Sequence, residues 1–148
     1  MRTPFEDVGD FHKKFGLPRR ELGREPALLD TETLRYRTAF MQEELGEFVE
    51  AADRGDMAGM LDALVDLAWV AMGTAHYMGA PFDDAWDEVL RANMEKTRGI
   101  PGTDDGHKRG TAEVIRKPAG WRPPDIVSVL ERYHRLMAAY KHMEPRSR

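Results

Sequence analysis

Apolar positions recur along this chain with the period of an α-helix, and no stretch shows the two-residue alternation with β-branched enrichment that marks a half-buried strand. Phe5, Val8, Phe11 (or His12) and Phe15 share one helical face, and Gly16 with Pro18 ends the run, which predicts a short helix over Phe5–Phe15. Residues 17–29 read as a polar connection. Asp30 or Thr31 then caps a long helix reaching Arg54, where Gly55 supplies the stop. Its apolar stripe is Leu34, Met41, Leu45, Phe48 and Ala52. Asp56 caps a third helix over Met57–Met78, followed by Gly79. Pro81 sits in the first turn of a fourth helix that reaches Thr97, with Phe82, Ala85, Trp86, Val89 and Leu90 on its apolar face.

Residues 98–123 break the pattern. They are rich in Gly, Pro and charge and predict a long loop with a short extended piece at Ala112–Ile115. A last helix follows Pro123-Pro124, with Ile126, Val129 (or Leu130), Tyr133, Met137 and Tyr140 in register, and residues 144–148 form a frayed tail. The expected fold is all-α, a bundle of four to five helices in one domain over residues 1–148.

The second helix carries Glu43, Glu44, Glu47 and Glu50 within an arc of roughly 120°. A solvated acidic face is the simplest account. Two features oppose it. Phe40 falls in the same arc, and no Lys or Arg follows Glu43, Glu44 or Glu47 at i+3 or i+4 to make the usual helix ion pairs. The third helix is apolar nearly all round, which predicts burial, yet it holds Asp62 and Asp66 on the face of Trp69, Gly73 and His76. Buried carboxylates need cations. No Lys or Arg lies between Arg54 and Arg91; Arg35 and Lys96 could reach in from elsewhere, and a divalent metal explains the acids more economically. If the two helices form an antiparallel hairpin across Gly55, Glu47 and Asp62 lie at matching distances from the turn. An oxygen-only set of this kind suits Mg²⁺ or Mn²⁺. His76 lies too far along the helix for the same ion and reads as a pocket-wall or structural residue.

Composition narrows the classes of function. With no cysteine there is no disulfide framework and no thiol chemistry. A net charge of −4 from 26 acids and 22 bases does not favour a nucleic-acid partner. The most apolar segment, residues 57–78, is interrupted by Asp62 and Asp66 and does not read as a membrane span. The acidic first ten residues do not read as a signal peptide. A soluble cytoplasmic protein is expected, with no nucleic-acid or membrane partner.

Glu43-Glu44-x-x-Glu47 followed by Asp66 on the next helix resembles the all-α nucleoside triphosphate pyrophosphohydrolases: MazG-like proteins, dimeric dUTPases and phosphoribosyl-ATP pyrophosphohydrolases. The likeness extends over Val65–Gly99, with its Asn93-x-x-Lys96 element, over VIRKPAGWRPPDI at Val114–Ile126, and over the N-terminal FHKKFGLP. It is greatest to the MazG-like proteins. One departure stands out: where the family pattern has Glu three residues before its Asp, this chain has Ala63, and Asp62 stands one position earlier.

The resemblance implies cleavage between the α and β phosphates of a nucleotide, giving a monophosphate and pyrophosphate, with more than one Mg²⁺ (or Mn²⁺) per site. It implies Glu43, Glu44, Glu47 and Asp66 as metal ligands with Asp62 in support, and Glu43 or Glu44 as the group that orients or deprotonates water. It also implies Asn93 and Lys96 at sugar or phosphate. Trp69 shares the acids' face and could stack on a base, as could Trp121, and Arg98, Lys108, Arg109, Arg116 and Lys117 could close over phosphates or simply solvate the loop. The expected activity is (d)NTP hydrolysis in nucleotide-pool control or house-cleaning. The alternatives are phosphoribosyl-ATP hydrolysis and a catalytically silent nucleotide- or metal-binding member, which the Ala63 departure keeps open. Related proteins form dimers or tetramers, so a homodimer or homotetramer is expected.

Overall fold

The computed structural model describes residues 1–99 and 115–143. Five α-helices account for nearly all of its regular structure: α1 (Pro4–Phe15), α2 (Thr31–Asp53), α3 (Met57–Met78), α4 (Phe82–Met94) and α5 (Ile126–Met143). Two two-residue strands, β1 (Thr97–Arg98) and β2 (Ile115–Arg116), pair antiparallel between α4 and α5. The stretch Ala112–Val114, the basic residues Lys108 and Arg109, most of the expected long loop and the tail from residue 144 lie outside the described residues.

Local chemistry sets most helix ends. Thr3 and Glu6 form a capping box at the start of α1, and Gly16 closes it in the left-handed conformation at φ 66°. Asp30 and Asp56 accept from Thr33 N and Gly59 N at the starts of α2 and α3, and Gly79 ends α3 at φ 66°. The fourth helix is shorter than its pattern predicts. It stops at Met94, because Thr97 and Arg98 leave the helix to pair with Arg116 and Ile115.

The helical faces differ from expectation in an informative way. On α1 the buried residues are Phe5, Val8, Gly9 and His12, while Phe11 and Phe15 are turned outward. On α2 the expected apolar stripe is not the buried one: Leu34 and Leu45 are about half exposed, and the face packed on α3 is Arg37, Glu44 and Ala51. The expectation of a buried α3 is also corrected. It buries Ala63, Val70, Gly73, Ala75 and His76, while Leu61, Leu64 and Val65 are exposed. Small residues on the inner face let the two backbones approach closely, so the bulky ones are left outside. By length and composition alone, α3 is apolar enough to cross a membrane.

Buried imidazoles dock α1 and the 17–29 connection onto α3. His76 Nε2 donates to Phe5 O at 2.8 Å, and its Nδ1 accepts from Arg20 N at 3.1 Å. Its ring stacks on Phe5 with centroids 3.9 Å apart. His12 Nδ1 donates to Pro18 O at 2.6 Å. Of the two roles expected of His76, pocket wall or structural residue, these contacts make it structural. Arg24 bonds Tyr77 O, and Glu25 pairs with Lys141 and His134 of α5, which carries the last helix back to the bundle.

Candidate active site

The hairpin register follows from two anchor points. Near the turn, a Cβ on Gly59 would lie 3.1 Å from Ala51 Cβ. At the far end, Arg37 donates from Nη2 to Val70 O at 2.8 Å and from Nε to Thr74 Oγ1 at 3.1 Å. A Cβ on Gly73 would come within 3.0 Å of the same guanidinium. Between these anchors, Glu44 falls level with Asp66, and Glu47 level with Ala63. The hairpin register thus sets acids of α2 across from α3, with Glu44 opposite Asp66.

It is Glu44, not Asp62 or Asp66, that is buried. Glu44 is 7% exposed, whereas both aspartates of α3 face outward. Burial pushes the Glu44 carboxyl above its usual range, and the like charges of Glu47, Asp66, Glu43 and Asp62 push it the same way, in that order. Asp62 has the weakest of these influences. Ala63, where the family pattern has Glu, is 2% exposed and faces α2, so a carboxylate there would have stood beside Glu47. Asp62 next to it points to the surface and does not occupy that place.

Among the described residues, none of these five carboxylates has a hydrogen bond or ion pair to a cation. Of the anticipated partners, Lys96 bonds Asn93, and Arg35 has no ion pair among the described residues. The donor set is oxygen-only and anionic, which fits a hard divalent ion. Its side chains are spread along the hairpin; among the described residues no three metal-competent side chains converge closely enough to enclose an ion.

Arg37 was not anticipated. It is 6% exposed and has no carboxylate partner among the described residues. Besides its two hydrogen bonds, the guanidinium lies 5.2 to 5.6 Å from the ring centroids of Tyr77, Phe40 and Tyr36. Arg37 lies seven residues, or about 10 Å along the helix, before Glu44 on the same stripe. The only sequence signal was that spacing, in phase with Glu44 and Ala51.

The remaining expected site residues are distributed as follows. Trp69 is half-buried and packs edge-on against Phe11, at 5.5 Å between centroids. Lys96 Nζ bonds Asn93 Oδ1 at 2.7 Å, but Lys96 stands just beyond α4 rather than on it. Trp121 Nε1 donates to Ala92 O at 2.7 Å, which holds the GWRPPD segment against α4. Among the described residues, no hydrogen bond or ion pair joins Asn93 or Lys96 to the acids of α2 and α3.

Residues 8–93, more than half of the chain, match the family described as phosphoribosyl-ATP pyrophosphohydrolase. The chain belongs to the phosphoribosyl-ATP pyrophosphohydrolase family. The match runs from within α1 to Asn93 in α4, takes in Glu43, Glu44, Glu47, Asp62 and Asp66, and ends before Lys96. That family is part of the all-α superfamily that includes the MazG-like proteins. The chain is also 28% identical over 82 residues to the uncharacterized protein L479 of Acanthamoeba polyphaga mimivirus, an alignment covering 55% of this chain and 33% of that protein. It thus spans about a third of that relative's length.

Proposed function

We propose that this family member is a Mg²⁺-dependent nucleoside triphosphate pyrophosphohydrolase that converts (d)NTP and water into (d)NMP and pyrophosphate, in nucleotide-pool control or house-cleaning. The observation that carries this is the acid cluster around buried Glu44, gathered across two helices with no Lys or Arg to neutralise it among the described residues. Such a cluster repels a polyphosphate unless cations reverse its sign. Glu43, Glu44, Glu47 and Asp66 would hold Mg²⁺ or Mn²⁺, with Asp62 as an outer support. Bound there, the metal would supply charge neutralisation and a water of lowered pKa. Glu43 or Glu44 would accept the proton of the attacking water. Asn93 and Lys96, already bonded to each other, would meet sugar or phosphate, and Trp69 would border the base.

Phosphoribosyl-ATP is the second substrate reading, favoured by the description of the matching family. The (d)NTP reading draws on the GWRPPD segment, which lies outside the matched residues and is pinned to α4 through Trp121. Both substrates are cleaved at the same α–β phosphoanhydride. The exposed apolar residues Leu45, Val49, Leu61, Leu64 and Val65 of the hairpin suit a second copy of the chain, so a homodimer or homotetramer in the cytoplasm is the assembly we infer.

Turnover measured with Mg²⁺, with Mn²⁺ and with chelator tests the metal. Glu47→Gln and Asp66→Asn should each lower it by about a hundredfold or more, since each removes a charge on the metal. Activity indifferent to chelator, or both variants within a few-fold of the wild type, would refute the site.

A further inference from the structure

Polar contact between α3, α1 and residues 17–20 runs through two buried imidazoles, His12 on α1 and His76 on α3. Their protonation states are set by their partners. Nδ1 of His76 accepts from Arg20 N, which it can do only while it carries no proton. Nδ1 of His12 donates to Pro18 O, so the neutral ring leaves Nε2 bare. The two rings lie 5.2 Å apart between centroids. Glycines give the packing no slack: a Cβ on Gly9 would lie 2.9 Å from His76 Cε1, and one on Gly73 would lie 3.1 Å from His12 Nε2 and 3.0 Å from Arg37 Nη2.

A proton taken up here meets only unfavourable ground. On His76 it occupies Nδ1 and sets donor against donor at Arg20 N, which ends the bond that fastens the connection. On His12 it occupies Nε2, at the Gly73 notch shared with the Arg37 guanidinium. The charged groups facing His76 are His12, Arg19 and Arg20, with Arg2, Glu6 and Asp10 along the cavity it borders. Arg2 holds Asp10, and Glu6 accepts from Thr3 N. Facing His12 are Arg37 of α2 and Tyr77 and His76 of α3. Neither imidazole has a carboxylate partner among the described residues. Burial first, and then these cations, hold both rings neutral.

We propose that His12 and His76 form a proton-operated latch. Unprotonated, the pair docks α1 and residues 17–20 onto α3; proton uptake from solvent releases that unit and leaves the α2–α3 hairpin folded. The hairpin does not depend on the latch, because Ala51 against Gly59, and Arg37 on Val70 O and Thr74 Oγ1, join α2 to α3 without α1. Release parts Phe11 from Trp69, whose rings meet edge-on at 5.5 Å when docked, and opens the notch at Gly73 to water. One wall of the bundle is thereby sensitive to acid, whatever substrate the acid cluster takes.

Hydrogen exchange of the full chain, read by mass spectrometry from pH 7.5 to 5 with labelling times scaled for the intrinsic exchange rate, follows release segment by segment. Peptides from α1 should lose protection about tenfold or more toward pH 5, while those from residues 37–52 and 63–74 hold theirs within about twofold. Glutamine keeps a donor and an acceptor and takes up no proton, so His12→Gln combined with His76→Gln should give α1 protection that is flat over the same range. If that double variant fails to dock α1 at pH 7.5, the wild type decides alone. NMR of its imidazole Cε1–H signals should show His12 and His76 taking up protons at the pH where α1 loses protection. Protonation of both rings with α1 still protected, or α1 and the hairpin opening together, would overturn the latch. So would a docked double variant that keeps the pH dependence of the wild type.

Discussion

Arg37→Met tests whether the buried guanidinium fixes the register of the α2–α3 hairpin. Methionine keeps an unbranched stem and removes the charge. The variant loses the bonds to Val70 O and Thr74 Oγ1 and the cation–π contacts with Tyr36, Phe40 and Tyr77. Hydrogen bonds from a charged donor are each worth about 1.5–3 kcal/mol, and the ring contacts add about 0.5–1 kcal/mol apiece. Two effects reduce the net loss. Val70 O still accepts from Thr74 Oγ1 at 2.8 Å, so no buried carbonyl is orphaned. The desolvation of a guanidinium that has no counter-ion among the described residues, several kcal/mol, is also relieved. The balance is a loss of about 2 kcal/mol, or about 4–8 °C in Tm for a chain of this length. Urea unfolding followed by far-UV circular dichroism measures it. Arg37→Lys should recover little, because a single ammonium cannot reach both acceptors as a fork does. A variant with methionine at least as stable as the wild type would refute the clamp.

Other outcomes follow from the same structure. Burial, foremost, lowers the pKa of His12 and His76 from the ordinary 6.5, with Arg37 reinforcing it at His12, and His12, Arg20 and Arg19 at His76. The unfolded chain then binds more protons, so this stability is complete above about pH 6.5 and is lost as pH falls through the lower folded values. Glu44 acts in the opposite sense, its raised pKa favouring the fold as pH falls toward 4.5. Urea midpoints of Glu44→Gln in chelator from pH 7.5 to 5 should therefore fall more steeply than those of the wild type; a flat profile would contradict the neutral imidazoles. Leu61→Glu, on the exposed flank of α3, should shift the protein toward monomer in analytical ultracentrifugation, and an unchanged assembly would remove that face from the interface.

Helix ends were legible because they are local: Asp30, Asp56, Gly16 and Gly79 cap where their neighbours require. The antiparallel α2–α3 hairpin was also legible, since the short turn at Gly55 forces it and sets Glu44 level with Asp66. Which face of α2 meets α3 was not. Hydropathy selects Leu34 and Leu45, whereas the packed stripe is Arg37, Glu44 and Ala51, chosen by small residues on α3 and by hydrogen bonds that composition cannot reveal. The early end of α4 depends on a strand partner distant in sequence, Ile115–Arg116, and helical periodicity is blind to such pairing. The departure at Ala63 was visible, but only the structure shows that Asp62 turns away instead of replacing the missing carboxylate.

The central claim is that the acid-lined hairpin hydrolyses the α–β phosphoanhydride of a nucleotide. Incubating the protein with Mg²⁺ and a panel of NTPs, dNTPs and phosphoribosyl-ATP, and following products by ³¹P NMR, tests it most directly. The account predicts nucleoside monophosphate and inorganic pyrophosphate in equal amounts from the triphosphates, and none of either after Asp66→Asn within the same interval. Nucleoside diphosphate and orthophosphate as primary products, or no hydrolysis of any substrate in the panel, would contradict it.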